Sequence, residues 1–130
     1  MAIPHAFLPL TVAAARHAEA TAVARQAVET DRAATDCWAS LLAGCTSPGR
    51  WGLGPRLRQL SEATSQQVGT RWWSAEGAAY RRRVARAQAE IEDAIAEGDG
   101  QEFARAFVGY DHAMASAVVC AEQRTGSPTA

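Results

Sequence analysis

A dense group of carboxylates in the C-terminal half of the chain is the first candidate for chemistry. Glu90, Asp93 and Glu97 follow at steps of three and four residues, which places them on one helix face. Such carboxylates suit the dimetal sites of helical bundles, but those sites also need Glu-x-x-His pairs, and no such pair occurs here. We therefore interpret the carboxylates as a solvated helix face and predict no metal site.

The histidines and cysteines form no catalytic constellation. His112 follows Asp111, but adjacent helix positions point about 100° apart, so the two side chains do not bond each other and His112 is predicted at the surface. Cys37, Cys45 and Cys120 lie in no C-x-x-C pair and have no base partner. They are predicted to be reduced and buried, with a bridge from Cys37 or Cys45 to Cys120 left open. We expect no catalytic residue and no cofactor.

The segment from Trp72 to Arg83 has the most distinctive composition in the chain. Two tryptophans are followed by small residues, a tyrosine and three arginines: Trp72, Trp73, Tyr80, Arg81, Arg82 and Arg83. Residues 50–86 carry eight arginines against two acidic residues, whereas residues 87–130 carry two against eight. Oppositely charged segments usually satisfy each other, within the fold or between copies.

Arginines beside an exposed Trp51 or Trp72 also suit single-stranded nucleic acid, which binds through phosphate contacts and base stacking. The net charge of −1 argues against this partner, because nucleic-acid-binding domains are usually strongly basic.

The elements that position these residues are predicted to be helical throughout. A chain of 130 residues, 48% hydrophobic and 21% charged, suits a single globular domain over residues 1–130. The apolar periodicity and the Gly and Pro breaks predict a long helix over 10–43, a Gly/Pro loop over 44–55, further helices over 56–69, 74–97 and 100–122, and a disordered tail over 123–130.

The apolar residues of the last two helices recur at alternating steps of four and three, a spacing typical of nearly antiparallel helices. Only Gly98-Asp99-Gly100 separates these helices, which predicts a C-terminal helical hairpin. Ser74 is predicted to cap the helix over 74–97, with Trp73 and Ala78 forming a hydrophobic staple. The sequence thus predicts an all-α antiparallel bundle of about four helices.

Over residues 55–97 the chain resembles the WXG (ESAT-like) family of small helical proteins, which are associated with type VII secretion in actinobacteria. The resemblance rests on Trp73, the small residues Ala78 and Ala79, and the aromatic-arginine pair Tyr80-Arg81. It implies that Trp73 lies in the turn between two helical arms, and that the protein docks on a helical partner or on itself.

The location of the protein is predicted from two features of the chain. The first ten residues lack the charged start and the apolar stretch of a secretory signal. No run approaches the roughly eighteen apolar residues that a membrane span needs. We expect a cytoplasmic protein, or one exported by a route without a cleaved signal peptide.

Together these features predict a non-enzymatic helical interaction protein that acts as a homo- or heterodimer. Its predicted contact residues are Trp72, Trp73, Tyr80, Arg81, Arg82 and Arg83. The alternative is a small helical ligand-binding protein or enzyme subunit, with a pocket lined by aromatic residues: Trp38, Trp51, Trp72 and Tyr110.

Overall fold

The computed structural model describes residues 6–44 and 50–125. They form six α-helices: α1 (Pro9–His17), α2 (Thr21–Ala43), α3 (Leu53–Val68), α4 (Thr70–Ser74), α5 (Ala78–Glu97) and α6 (Gly100–Thr125). These ranges contain no β-strand, so the predicted all-α class is confirmed. The helices outnumber the predicted four, because the first predicted helix is divided and the short α4 precedes α5.

Helix α6 is the element against which most of the others pack. Its largest interface is with α5, and it also contacts α1, α2 and α3. Tyr80 near the start of α5 meets Cys120 near the end of α6, so these two helices run antiparallel. Helix α3 lies mainly against α2. The two arms expected from the WXG resemblance, α3 and α5, thus pack chiefly against other helices.

The predicted helix over 10–43 is divided between α1 and α2, at a place with neither Gly nor Pro. Glu19 takes a left-handed φ of 56°, and the Ala20 N–H donates to the Ala15 carbonyl at 2.8 Å. A left-handed non-glycine residue costs about 1–2 kcal/mol. The turn folds α1 back, so that it bridges α2 and α6 and buries Thr11 and Ala15.

The third helix begins earlier than predicted. Helix α3 starts at Leu53 and carries Pro55 within its first turn, where the missing N–H of proline is not needed for a helical hydrogen bond. Part of the predicted Gly/Pro loop is therefore helical. Residues 45–49 of that loop, including Cys45, lie outside the described residues.

The start of the predicted helix over 74–97 is also corrected. Ser74 is the last residue of α4, and α5 begins at Ala78. The N-cap position of α5 is Gly77, and no side chain caps this helix start. The chain turns at Gly69, with φ 97°, and again over residues 75–77. Ser74 is therefore not the cap of α5, and Trp73 and Ala78 do not flank a single helix start. Helix α6 continues to Thr125, beyond the predicted end at 122, and residues 126–130 of the predicted tail are not described.

The core is centred on α6 and lies where the apolar stripes were predicted. Its largest fully buried side chains include Phe103, Phe107, Tyr110 and Met114 of α6. Phe7, which precedes α1, packs edge-on against Phe103 and Phe107, with ring centroids 5.5 and 5.2 Å apart. Many of the other core positions are alanines, which let the helices approach closely but bury little area each. The few aromatic residues therefore supply much of the apolar burial.

Two aspartates hold the segment that leads into α1. Asp31 of α2 accepts the N–H groups of Phe7 and Leu8, at 3.2 and 3.0 Å. Asp111 of α6 accepts the N–H groups of Leu10 and Thr11, at 3.1 and 2.8 Å, and the Thr11 hydroxyl at 2.7 Å. Asp111 is 4% exposed, and its negative charge lies at the positive N-terminal end of the α1 dipole. The start of α1 is thus capped by a side chain from the other end of the chain.

We predict that Asp111→Ala lowers the free energy of unfolding by about 2–3 kcal/mol, because it leaves buried N–H donors of α1 without an acceptor. Asp111→Asn keeps one acceptor oxygen and is expected to lose about half as much. Urea denaturation measures both. Asp36→Ala, the same change at an exposed site of α2, is the control, with an expected change within about 0.5 kcal/mol. Equal losses at the two sites would contradict the capping role.

Candidate interaction surface

The six predicted contact residues lie on α4 and the first turns of α5, and they differ in accessibility. Trp73 is only 7% exposed and belongs to the protein's own core, so it offers little surface to a partner. Trp72 is half-buried, and its ring lies over Gly77 and stacks on Tyr80 with centroids 6.3 Å apart. Arg81 is half-buried, whereas Arg82 and Arg83 are exposed.

Gly77 is needed where it lies because the Trp72 ring occupies the space of a side chain. A Cβ atom built on Gly77 would lie 2.4 Å from the nearest ring carbon. The backbone of Gly77, with φ −86° and ψ 6°, is open to any residue, so the requirement is steric. The small residues of this segment therefore serve the packing of Trp72 within the fold.

Tyr80 joins the start of α5 to the end of α6. Its hydroxyl donates a hydrogen bond to the Cys120 sulfur. This bond, and second the negative charge of the Cys120 thiolate, raise the pKa of Tyr80. The guanidinium of Arg83 lies 5.8 Å from the centre of the ring, within cation–π range. Close by, Arg124 of α6 forms an ion pair with Glu76, which ties the turn before α5 to the end of α6.

The basic side chains of α5 have no partner of opposite charge in the described part of the chain. The ion pairs found there join Arg32 and Arg56 to Glu29, Arg105 to Glu102 and Arg124 to Glu76. The arginines of α5 therefore do not take part in the pairing expected between the oppositely charged segments. Arg82, Arg83 and Arg86 are exposed, and Arg83 also lies over the Tyr80 ring.

Two apolar grooves flank the outward side of α6 and meet at His112. The groove toward α1 has a volume of about 610 Å³, and its wall includes Leu10, Tyr80, Val119 and Cys120. The groove toward α5 has a volume of about 480 Å³, and its wall includes Arg83, Arg86, Glu90, Val108 and Gly109. We call the outward side of α6, together with these two grooves, the α6 outer face.

The α6 outer face carries the exposed apolar side chains that sequence reasoning missed. Val108 is 71% exposed, Leu10 50% and Val119 40%. Val108 and Val119 lie off the buried stripe of α6, eleven residues or about three turns apart, and so on one side of the helix. Their off-stripe position was the signal in the sequence. Val108 also shares a groove with Arg83 and Arg86, and an exposed apolar patch rimmed by charged residues is typical of a surface that contacts another macromolecule.

The alternative pocket lined by aromatic residues does not form. Trp38 contacts Phe7 and donates its indole N–H to the Gly100 carbonyl at 3.1 Å, at the start of α6. Trp72 lies at the other end of α5, about 30 Å away along that helix. Tyr110 is fully buried in the core, and Trp51 is 60% exposed beside Arg50. These four side chains therefore do not line one cavity.

No metal-binding group is found among residues 6–44 and 50–125. Their His, Cys, Asp and Glu side chains form no group of three or more that would hold a metal ion. Burial raises the pKa of the Cys37 thiol to about 11, which keeps it protonated at neutral pH, although nearby Arg50 lowers it in part. His112 is exposed, as predicted, and Asp111 beside it is occupied as the cap of α1.

A further groove, of about 550 Å³, lies between α1 and α2. Its floor is apolar, with Pro9, Val12 and Val28, and its rim carries Arg16 and Asp36.

None of the described helices is long and apolar enough to cross a membrane.

Comparisons with protein-family models, with curated proteins and with solved structures found no match to this chain. The function is therefore proposed from the surfaces and contacts of the chain itself.

We predict that Gly77→Ala lowers the free energy of unfolding by about 1–3 kcal/mol, because the new methyl group displaces the Trp72 ring. In a Trp72→Ala background the same substitution is expected to be neutral or slightly stabilising. Chemical denaturation of the four proteins of this double-mutant cycle measures the coupling. The same cost in both backgrounds would show that Trp72 is not the cause.

We also predict that Cys120→Ala lowers the pKa of Tyr80 toward its ordinary value of 10.0, because the hydrogen bond that the Tyr80 hydroxyl donates to the Cys120 sulfur is lost. A titration of tyrosinate absorbance measures this pKa. The chain has two tyrosines, and burial also raises the pKa of Tyr110, so the titration is made in a Tyr110→Phe background, where only Tyr80 contributes. Cys37→Ala, on a different helix, is the control. An unchanged Tyr80 titration in Cys120→Ala would refute the contact.

Proposed function

We propose that the protein is a non-enzymatic helical interaction protein that works as a homo- or heterodimer through the α6 outer face and the adjoining side of α5. The observation that carries the proposal is the pair of exposed valines on one side of α6, Val108 and Val119. Val108 shares a groove with exposed Arg83 and Arg86, neither of which forms an ion pair with a described residue. Apolar side chains on a stable helix gain free energy when a partner covers them. The arginines add specificity for a partner with acidic groups.

The predicted contact residues keep a part in this proposal. Arg83 lines the groove between α5 and α6, and Tyr80 forms a wall of the groove between α1 and α6. Arg82 is exposed one residue before Arg83. Trp72 acts through Tyr80, on which it stacks. Trp73 supports the surface from inside the core. The resemblance to the WXG family adds an association with secretion to the proposal, which a neighbouring gene for a secretion ATPase would support.

Nucleic acid is a poorer fit to the same surface. The exposed arginines of α5 share that helix with exposed Glu90, Glu92, Asp93 and Glu97. These carboxylates would repel a phosphate backbone that ran along α5. A mixed surface of this kind fits another protein better.

A second candidate, the binding of a small apolar ligand, is favoured by the groove between α1 and α2. Its apolar floor and charged rim have the composition of small-molecule sites. A fluorescent apolar probe that binds wild type and is lost on Val28→Glu would support this function.

We predict that Val108→Asp combined with Val119→Asp abolishes the association while leaving the unfolding free energy within about 0.5 kcal/mol of wild type, because both sites are exposed. Sedimentation velocity over a range of concentrations measures self-association, and co-purification with the tagged chain measures a second protein. Leu42→Asp, at a 60% exposed leucine of α2, is the matched control. A wild-type chain that is always monomeric and co-purifies with nothing would refute the proposed function.

A further inference from the structure

The outward side of α5 carries an ordered charge pattern. Arg83, Arg86, Glu90 and Asp93 follow at steps of three, four and three residues, which is the spacing of one helix face. All four are exposed, and the two arginines precede the two acids. This face is therefore positive over its first half and negative over its second.

None of these four side chains forms an ion pair among the described residues. Arg83 lies over the Tyr80 ring, and the pKa of Arg105 is raised first by its hydrogen bond with Glu102 and also by the charge of Glu90. The ion pairs of the described residues leave all of them out, although Arg86 and Glu90 are four residues apart on the same helix. The groove beside this face is lined by Arg83, Arg86 and Glu90 together with Val108. Charged and apolar groups that are both open to a partner thus lie side by side.

The charge pattern is symmetric about Gln88. Arg86 and Glu90 each lie two residues from Gln88, and Arg83 and Asp93 each lie five residues from it. If a second copy of α5 runs antiparallel across this point, each arginine of one copy faces an acid of the other. A parallel copy would instead oppose arginines to arginines. The pattern is thus complementary to itself in one orientation only, as a twofold symmetric interface requires.

We propose that a second copy of this chain docks on this face, with its α5 antiparallel to that of the first and a twofold axis at the level of Gln88, on the side of the helix opposite the Gln88 side chain. Arg86 then pairs with Glu90 of the second copy, and Arg83 with Asp93 of the second copy. The inference rests on the proposed function, since it names the partner and the orientation for that surface. Each copy contributes the same residues, so the contact closes on itself as a dimer.

Apolar groups complete the interface, and its small area limits the affinity of the dimer. Val108 lies beside the charged row, and Gly109 next to it has open space around its α-carbon, so another helix meets no side chain there. One side of a helix about 30 Å long and about 10 Å wide has an area of roughly 300 Å². With α5 and α6 both contributing, each copy offers roughly 600 Å² to the interface. This is at the low end for a specific dimer, which buries about 1,200–2,000 Å² in total. The dimer is therefore expected to dissociate on dilution and to weaken with salt.

Two charge-reversal variants test the arrangement. The variant Arg83→Glu/Arg86→Glu makes the whole face acidic, and Glu90→Arg/Asp93→Arg makes it basic. Alone, each opposes like charges across the axis, and we expect its dimer dissociation constant to rise about tenfold or more. Mixed in equal amounts, the two variants carry complementary faces throughout and are expected to form a one-to-one heterodimer. Sedimentation velocity at low salt measures all three samples. Glu62→Arg/Glu92→Arg, which adds the same charge at an exposed site of α3 and on another side of α5, is the control.

The outcomes separate this inference from the proposed function. Restored association in the mixture alone supports the antiparallel dimer. If both variants dimerise as well as wild type, the chain associates through other residues, and the inference is overturned. A monomeric wild type that co-purifies with a different protein, which Val108→Asp/Val119→Asp releases, overturns the second-copy inference and leaves the proposed function standing.

Discussion

The fold depends on the hydrogen bonds that two aspartate carboxylates accept from the backbone N–H groups at the start of α1. Asp31 accepts the N–H groups of Phe7 and Leu8, Pro9 has no N–H, and Asp111 accepts those of Leu10 and Thr11. From Val12 onward the helix satisfies itself, through the Leu8 carbonyl. Every backbone donor of this entry therefore has an acceptor or is absent, which allows it to be buried.

That entry determines what α6 presents to solvent. With α1 capped by Asp111 and Phe7 packed on Phe103 and Phe107, one side of α6 is committed to the core. α5 covers a neighbouring side through the stripe that includes Val84 and Ile91. The remaining side, with Val108 and Val119, lies between α1 and α5. The proposed interaction surface is thus the side of α6 that its intramolecular neighbours leave uncovered.

The sequence predicted the helical class and the buried stripes of α5 and α6, because their apolar periodicity is regular and the Gly98 turn is explicit. It did not predict the break at Glu19, because the residues there favour helix and only tertiary contacts impose the turn. Asp111 was considered only as a neighbour of His112, since a cap from a hundred residues away leaves no local signal. In the candidate site, the segment from Trp72 to Arg83 has a distinctive composition, but its sequence does not show that burial divides it between core support and surface.

The connection at Glu19 also links two parts of the molecule thermodynamically. Ala18, Glu19 and Ala20 have no intrinsic reason to leave the helical conformation, so the left-handed φ of 56° is maintained by the docking of α1. A chain whose α1 leaves Asp111 gains nothing by keeping this strain. Undocking of α1 and straightening of the connection are therefore one cooperative event, in which the groove between α1 and α6 is lost as a unit.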